Sequence, residues 1–318
     1  MRRSVIVLAA VALLAAGCAQ PGTGSGSATE PDPDLNEKFD QRARQVAQAW
    51  AASTASGAWR TGFVPLGSLT EAPAGGFPSG ELKDAYSQGI YVLRTDLPGT
   101  RPADGTIRFP ADRATLTVPL VSAREAYAAI DRGDPQCVSP PPAAPAPTGP
   151  SGSVGTTVPQ GCVALTVTGV RLGTVMVRTS RGEASVPAWL FTVAEVREPV
   201  ARVAVAPSAV TPMPRASVPD WGHQRGLVTA QHVIQVAGNE LTFALGVGSC
   251  DTDIRPLFLE TDAAVVVAGT VRTPTGPCNM MLKFEPVTVT LAEPLGVRVV
   301  LDAVNGVPLS DTPVGIPR

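Results

Sequence analysis

The sequence predicts an α+β N-terminal domain with an antiparallel sheet, followed by a small all-β, sandwich-like domain. Three observations carry this. One segment near residue 40 has helical apolar spacing, most later apolar residues alternate with period two, and Pro-rich breaks at 139–160 and 207–224 interrupt the pattern. Composition sets the outer limits. With 318 residues, 44% hydrophobic and 16% charged, the chain has the apolar material for a core, which excludes a wholly disordered protein, a coiled coil or a collagen. A formal net charge of −2 argues against an electrostatic nucleic-acid binder, and two histidines with five cysteines leave little for a multi-metal centre.

The predicted domain at 34–206 opens on Asp34-Leu35-Asn36-Glu37, which has the form of a capping box. Phe39, Ala43, Val46, Ala47 and Trp50 then recur on one helical face, so a helix is expected from about Leu35 to Ser53, ending before Gly57. Trp50 reads as a core residue of that face. Residues 57–80 carry several Gly and Pro and read as irregular structure with short strands; 82–89 reads as a brief helix and 90–94 as a strand. Strands at 106–109 and 115–118 flank a turn, and Ser122 to Glu125 opens a second capping-box helix running to Gly133. Residues 139–160 are Pro-rich and too polar to bury a core, and read as a disordered insert.

After the insert, Val163, Leu165 and Val167 alternate with polar residues. So do Val175 and Val177, and Trp189, Phe191 and Val193 follow the same period, with Arg181-Gly182 as a turn. Pro187 lacks an N–H and points to an edge or strand start, which would let this strand accept a partner peptide; the plainer reading makes Trp189 a core anchor. Residues 207–224 hold four prolines and no periodicity, and read as the linker to the domain at 225–318. There, Ala230, His232, Ile234 and Val236 alternate, Gly238-Asn239 makes a tight turn, and Leu241, Phe243, Leu245 and Val247 return. Residues 265–271 form a β-branched run, apolar parity switches at Pro286 as at a bulge or edge, and Asn305-Gly306 has the form of a type I′ hairpin turn.

The first residues speak to location. Arg2 and Arg3 precede an apolar run of about twelve residues, too short to span a bilayer but suited to a signal peptide. Ala15-Ala16-Gly17-Cys18 resembles the lipobox of bacterial lipoproteins, in which the cysteine thiol takes a diacylglyceryl group. Residues 1–17 are therefore expected to be a signal peptide, Cys18 the lipidated residue, and 18–33 a flexible Gly/Ser/Pro tether. The remaining cysteines, Cys137, Cys162, Cys250 and Cys278, are an even set, as an oxidising compartment favours. Three connectivities are open; local pairing, Cys137–Cys162 and Cys250–Cys278, is expected because each pair brackets one loop, worth roughly 3 kcal/mol apiece.

The sequence offers no motif for a catalytic residue, metal or cofactor. There is no nucleophile elbow, no phosphate-binding loop and no zinc-type cysteine spacing. His232 reads as packed with a hydrogen-bond partner and His223 as an exposed loop residue. Asp251 with Asp253, and Glu260 with Asp262, are the candidate paired carboxylates, for which solvated strand-end acids are the plainer reading.

Thr179-Ser180-Arg181-Gly182 with Ala184 to Val193, Gly248-Ser249-Cys250-Asp251, Glu260-Thr261, Cys278, and Glu293 to Pro308 together resemble uncharacterised secreted lipoproteins of high-GC Gram-positive (actinobacterial) type. The 22 Arg against 3 Lys agree with a GC-rich genome. The resemblance implies localisation and a two-domain layout, and brings no catalytic residue with it. The sequence thus leads to a lipoprotein on the extracytoplasmic face of the cell membrane, with a non-enzymatic binding or structural role. Its partners would be the membrane, through the anchor, and an envelope protein, without nucleic acid. The alternative is a hydrolase acting on cell-envelope polymer.

Overall fold

A computed structural model describes residues 34–133, 163–222, 224–274, 276–279 and 281–311. The expected signal peptide, Cys18, the tether, the insert with Cys137 and Cys162, and His223 lie outside the described residues. The chain is mostly sheet with a minority of helix. Its elements, in order, begin with α1 (Asp34–Ala52), α2 (Thr54–Thr61), β1 (Thr70–Glu71), α3 (Gly80–Gln88), β2 (Tyr91–Leu93), β3 (Gly105–Phe109), β4 (Ala114–Val118) and α4 (Ala123–Ile130). Long strands follow, β5 (Leu165–Thr179) and β6 (Gly182–Val193), then β7 (Val200–Val203). The rest is β8 (Leu227–Val228), β9 (Ala230–Ala237), β10 (Glu240–Gly248), β11 (Thr252–Glu260), β12 (Ala264–Arg272), β13 (Leu282–Thr290) and β14 (Val299–Asp302).

The first sheet is built around β6. Strand β5 pairs along one edge of β6 from Val167↔Val193 to Thr179↔Gly182, while β7 (Ala188↔Val203) and β3 (Arg108↔Ser185) share the other. Strand β1 extends it beyond β7, β4 beyond β3, and β2 lies parallel to β5. Helices α3 and α4 cover this sheet through Ala85, Ala123, Ala126 and Ile130, and α4 opens on the expected capping box of Ser122 and Glu125. Pro187 sits in this central strand, against the edge or strand-start expectation. The reason is local: its carbonyl accepts from Ala204 N–H, so its missing donor points to the gap where β3 ends and β7 begins. Trp189 is a core residue whose Nε1 donates to the Val121 carbonyl at 2.9 Å.

The other strands form two sheets packed face to face, β11-β12-β14 with β8 on β12, and β13-β10-β9. Strand β12 is buried on both faces. Ala264, Val266 and Ala268 meet α1, and Val265 and Val267 meet Leu241, Phe243 and Leu245 of β10. That double burial explains the unbroken apolar run, and the small alanines let the helix approach the sheet closely. Gly269 does the same on the other side, since a Cβ there would lie 2.3 Å from Leu245 Cδ1. Strand β14 is parallel to β12 (Ala264↔Val299), the chain crossing to the facing sheet as β13 before it returns. Strand β13 is an edge strand in unbroken register, with Leu282 and Phe284 outward and Val287 and Val289 toward the core; the parity switch at Pro286 is therefore an edge position without a bulge. The bulges fall in β9 instead, and they turn Val233 inward and Ile234 out.

Two expectations about connections are revised. Helix α1 packs on the β11-β12-β14 sheet, and Met213, Ala216, Val218 and Trp221 of the 207–224 segment pack on the same core. That segment is a strap whose apolar side chains are used, and the described residues group as one compact unit. The Asn305-Gly306 turn is wider than type I′: Gly306 N–H bonds to the Asp302 carbonyl at 2.8 Å, and of the pair only Gly306 has positive φ (70°).

The cause of that wider turn is a buried polar knot. Asp302, fully buried, accepts from Ala230 N–H at 2.8 Å and from Asn305 N–H at 2.9 Å. Arg42, on the buried face of α1, donates through Nε to the Ala303 carbonyl at 3.0 Å and through Nη2 to the Val304 carbonyl at 2.9 Å. It also lies 5.5 Å from the Trp221 ring centroid. Burial pushes the Asp302 carboxyl up to about 7, against the pull of the Asn305, Ala230 and Val304 N–H groups and Arg42. In unfolded chain this carboxyl ionises near 3.8, so its contribution to stability is full below that pH and is lost as pH rises through about 7. Asp302→Asn should abolish that decline. It should also cost about 1–3 kcal/mol at low pH, because an amide offers one acceptor where two backbone donors need one each. Denaturant titrations of both proteins across this pH interval measure the effect; a variant that keeps the wild-type slope would rule out Asp302 as its source.

Candidate functional site

The acidic pairs weighed in the sequence are engaged in holding turns. Asp251 accepts from Gly248 N–H at 2.7 Å and from the Thr273 hydroxyl at 2.9 Å, while Asp253 pairs with Arg255 at 2.9 Å and with Arg272 at 3.4 Å. Glu260 accepts from Ala292 N–H at 2.8 Å and pairs with Arg298 at 2.8 Å. Burial works against that charge, but these bonds hold the carboxyl below its ordinary value. Asp262 lies exposed in the turn between β11 and β12. Asp251 lines an open depression with Arg225, Val271 and Thr273, but Asp253, Glu260 and Asp262 are not in that lining, so neither pair shares it. His232 departs from its expected hydrogen-bonded state: its Nδ1 is buried without a partner among the described residues, and the ring meets Phe284 edge-on at 5.8 Å. Burial lowers its pKa. Cys250 and Cys278 form a disulfide that ties the β10–β11 turn to the segment before β13, with Cα atoms 6.1 Å apart.

The Thr179-Ser180-Arg181-Gly182 motif is structural. Ser180 donates its hydroxyl to the Trp59 carbonyl at 2.6 Å, and Thr179 donates to the Gly182 carbonyl at 2.7 Å. Arg181 pairs with Asp112 at 2.6 Å while its guanidinium lies 3.8 Å from the Phe109 ring centroid. The turn thereby fastens α2 and the β3–β4 hairpin to the β5–β6 hairpin. Among the described residues no group of three or more His, Cys, Asp or Glu gathers as a metal site.

A different place has the shape of a binding site. A cleft of about 280 Å³ opens where β1 and β7 meet the ends of α3 and α4. Arg202 on β7 lies opposite Thr70 on β1, and its Nη1 donates to Thr70 Oγ1 at 2.9 Å. Tyr86, on α3, donates its hydroxyl to the Thr70 carbonyl at 2.9 Å and stacks on Phe77 with centroids 5.1 Å apart. Helix α3 is capped at one end by Ser79, and at the other by Gly89 at φ 73°. Gly89 is needed for space as well as for φ. A Cβ there would lie 2.6 Å from the Ile130 carbonyl and 2.9 Å from Arg132 Cγ, while the Gly89 carbonyl accepts from Arg132 N–H at 3.0 Å. This close approach brings Arg132, beyond α4, to the cleft beside Tyr86, Ser87 and Tyr91.

The electrostatics follow from burial. Desolvation lowers the Arg202 pKa, partly offset by Tyr86, and no carboxylate forms an ion pair with it among the described residues. Burial pushes Tyr86 up to about 12, with Glu71 adding and Arg202 opposing, so the phenol stays neutral. Tyr91 is raised by burial as well. Glu71 is raised by burial and by Glu183. Among the described residues the lining holds guanidinium, phenol and aliphatic hydroxyl groups and no carboxylate, imidazole or thiol. Such a set can bind and orient an acceptor-rich ligand.

Sequence reasoning missed this cleft because Thr70 and Arg202 are 132 positions apart and no motif joins them. The one signal was Arg202 itself, a charge in the otherwise apolar strand Val200-Ala201-Arg202-Val203. Compared with known protein families, curated proteins and solved structures, the chain matches none of them.

The disulfide has a direct test. Replacing Cys250 and Cys278 together by serine should lower stability by about 3 kcal/mol, read by denaturant titration. In the wild-type chain, unfolded without reductant, neither thiol should be alkylated; mass-spectrometric detection of alkylated Cys250 or Cys278 would contradict the pairing.

Proposed function

We propose that this protein is an extracytoplasmic lipoprotein, held to the cell membrane through a diacylglyceryl group on Cys18, that binds a ligand or partner at the envelope and does not catalyse. The observation that carries the proposal is the run from Arg2 to Cys18, a short positively charged start, an apolar segment and small residues directly before a cysteine. The Gly/Ser/Pro-rich stretch to residue 33 then serves as tether. The Cys250–Cys278 disulfide supports an oxidising compartment. The Arg202 cleft, with hydrogen-bond donors and, among the described residues, no carboxylate, imidazole or thiol in its lining, supports binding. The hydrolase alternative calls for acids facing a shared groove, whereas Asp251, Asp253 and Glu260 are committed to backbone N–H groups and arginines.

Cys18→Ala tests the proposal. In the producing cell the wild-type chain should sediment with membranes and incorporate a clickable palmitate, and the variant should be soluble and unlabelled. A variant that stays in the detergent-extractable membrane fraction, or a wild-type chain without label, would contradict the anchor.

A further inference from the structure

We infer that the cleft between β1, β7, α3 and α4 is a binding site for a small organic oxyanion, a carboxylate or phosphate carried on a body about the size of a monosaccharide. The inference deepens the binding role proposed above and rests on it, naming the ligand class for one site.

Arg202 is the key residue of the cleft. Its guanidinium is half-buried, and desolvation is the dominant influence on it. A charge taken from water calls for compensation by an opposite charge or a full set of acceptors. The structure supplies one neutral acceptor, Thr70 Oγ1 at 2.9 Å, and a guanidinium has five N–H donors. Among the described residues no carboxylate reaches it within ion-pair distance, in contrast to Arg181, Arg178 and Arg298, which each pair with one. Arg202 is a lining residue of the cleft, so an acceptor entering there meets its remaining donors.

The rest of the lining has the same polarity. Thr70 Oγ1 accepts from Arg202 and Ser68 Oγ accepts from Thr70 N–H at 3.0 Å, which leaves both hydroxyl protons free to donate. Ser87 is already a donor to the Lys83 carbonyl, and Tyr86 to the Thr70 carbonyl. Arg132, exposed at the rim, adds a second cation whose side chain forms no ion pair among the described residues. The acids nearby are placed otherwise: Asp131 accepts from Gly133 N–H at 3.0 Å, and neither Asp131 nor Glu71 is in the cleft lining. A donor-rich site with two cations selects a ligand that is rich in acceptors and negatively charged, and a bidentate guanidinium contact is the strong form of that recognition. Tyr91, Ala129 and Ile130 give the apolar part of the wall, against which a ring or short carbon chain fits. A volume of about 280 Å³ limits the ligand to one such unit.

Carboxylate and phosphate share this chemistry, and calorimetric titration of the full chain in detergent separates them. The probes are glucuronate, glycerol 3-phosphate and inorganic phosphate, with glucose as the neutral control. At least one anion should bind saturably with a Kd of ~1 mM or tighter, and glucose should not. Stronger binding of glucuronate assigns a sugar acid; stronger binding of glycerol 3-phosphate assigns a phosphate ester. Arg202→Gln should weaken the preferred anion about tenfold or more, and Arg202→Lys should restore part of the loss, because Lys keeps the charge without the fork. Arg132→Gln should weaken it severalfold, and that exposed residue carries little folding risk. Absence of saturable binding by all three anions at about ten times that concentration, or unchanged affinity in both Gln variants, overturns the inference. Binding of glucose as tight as that of the anions overturns the anion assignment while leaving a binding role in place. A chain that binds anions but is not lipidated instead overturns the envelope proposal alone.

Discussion

The knot around Arg42 and Asp302 is the constraint on which the rest of this structure depends. A helix from the start of the described chain and a turn near its end meet there, their joining side chains both buried. Arg42 satisfies the carbonyls of Ala303 and Val304, and Asp302 satisfies the N–H groups of Ala230 and Asn305. Each side chain satisfies two backbone groups that would otherwise be buried without a partner, and leaving such a group unsatisfied costs about 1–3 kcal/mol. The same knot seats Trp221 of the strap against Arg42, so helix, strap and turn are fixed at one point. The apolar packing follows from it. With α1 held on β14 and β12, Ala264 and Val266 are covered on one face while Val265 and Val267 are covered by β10 on the other.

A second set of ties extends this body to the β6-centred sheet. Trp59 of α2 stacks edge-to-face on Trp50, donates its Nε1 to the Val297 carbonyl at 3.0 Å, and accepts at its own carbonyl from Ser180. Arg178 at the end of β5 pairs with Asp311 at 3.1 Å, and Leu66 exchanges backbone bonds with both neighbourhoods. The residues singled out in the sequence as a shared motif, Thr179 to Gly182, are thus the joint that carries these ties. Their chemistry is spent on geometry, and the cleft of Arg202 lies apart from them.

Local physics was legible in the sequence and long-range compensation was not. The apolar face of α1, the Ser122–Glu125 capping box, the alternation in β10 and the Gly238 turn each depend on residues within a few positions of one another, and each is found. The β-branched run at 265–271 was legible as a strand, but one of its covering layers is a helix more than two hundred residues earlier, which no local pattern announces. Pro187 misled because the rule that places proline at edges assumes an unbroken neighbour, and here two different strands share that edge of β6. The Asn305-Gly306 turn misled because the buried carboxylate of Asp302, three residues away, organises the loop. The cleft was invisible for the same reason as the knot: its residues converge from β1, α3, β7 and the end of α4.

The central claim is that this knot makes the described residues one cooperative unit. Scanning calorimetry of the wild-type chain with its disulfide intact tests it most directly. One unfolding transition whose calorimetric and van't Hoff enthalpies agree is the result this account predicts. Two separable transitions, with the strands after residue 225 melting independently of α1, would contradict it.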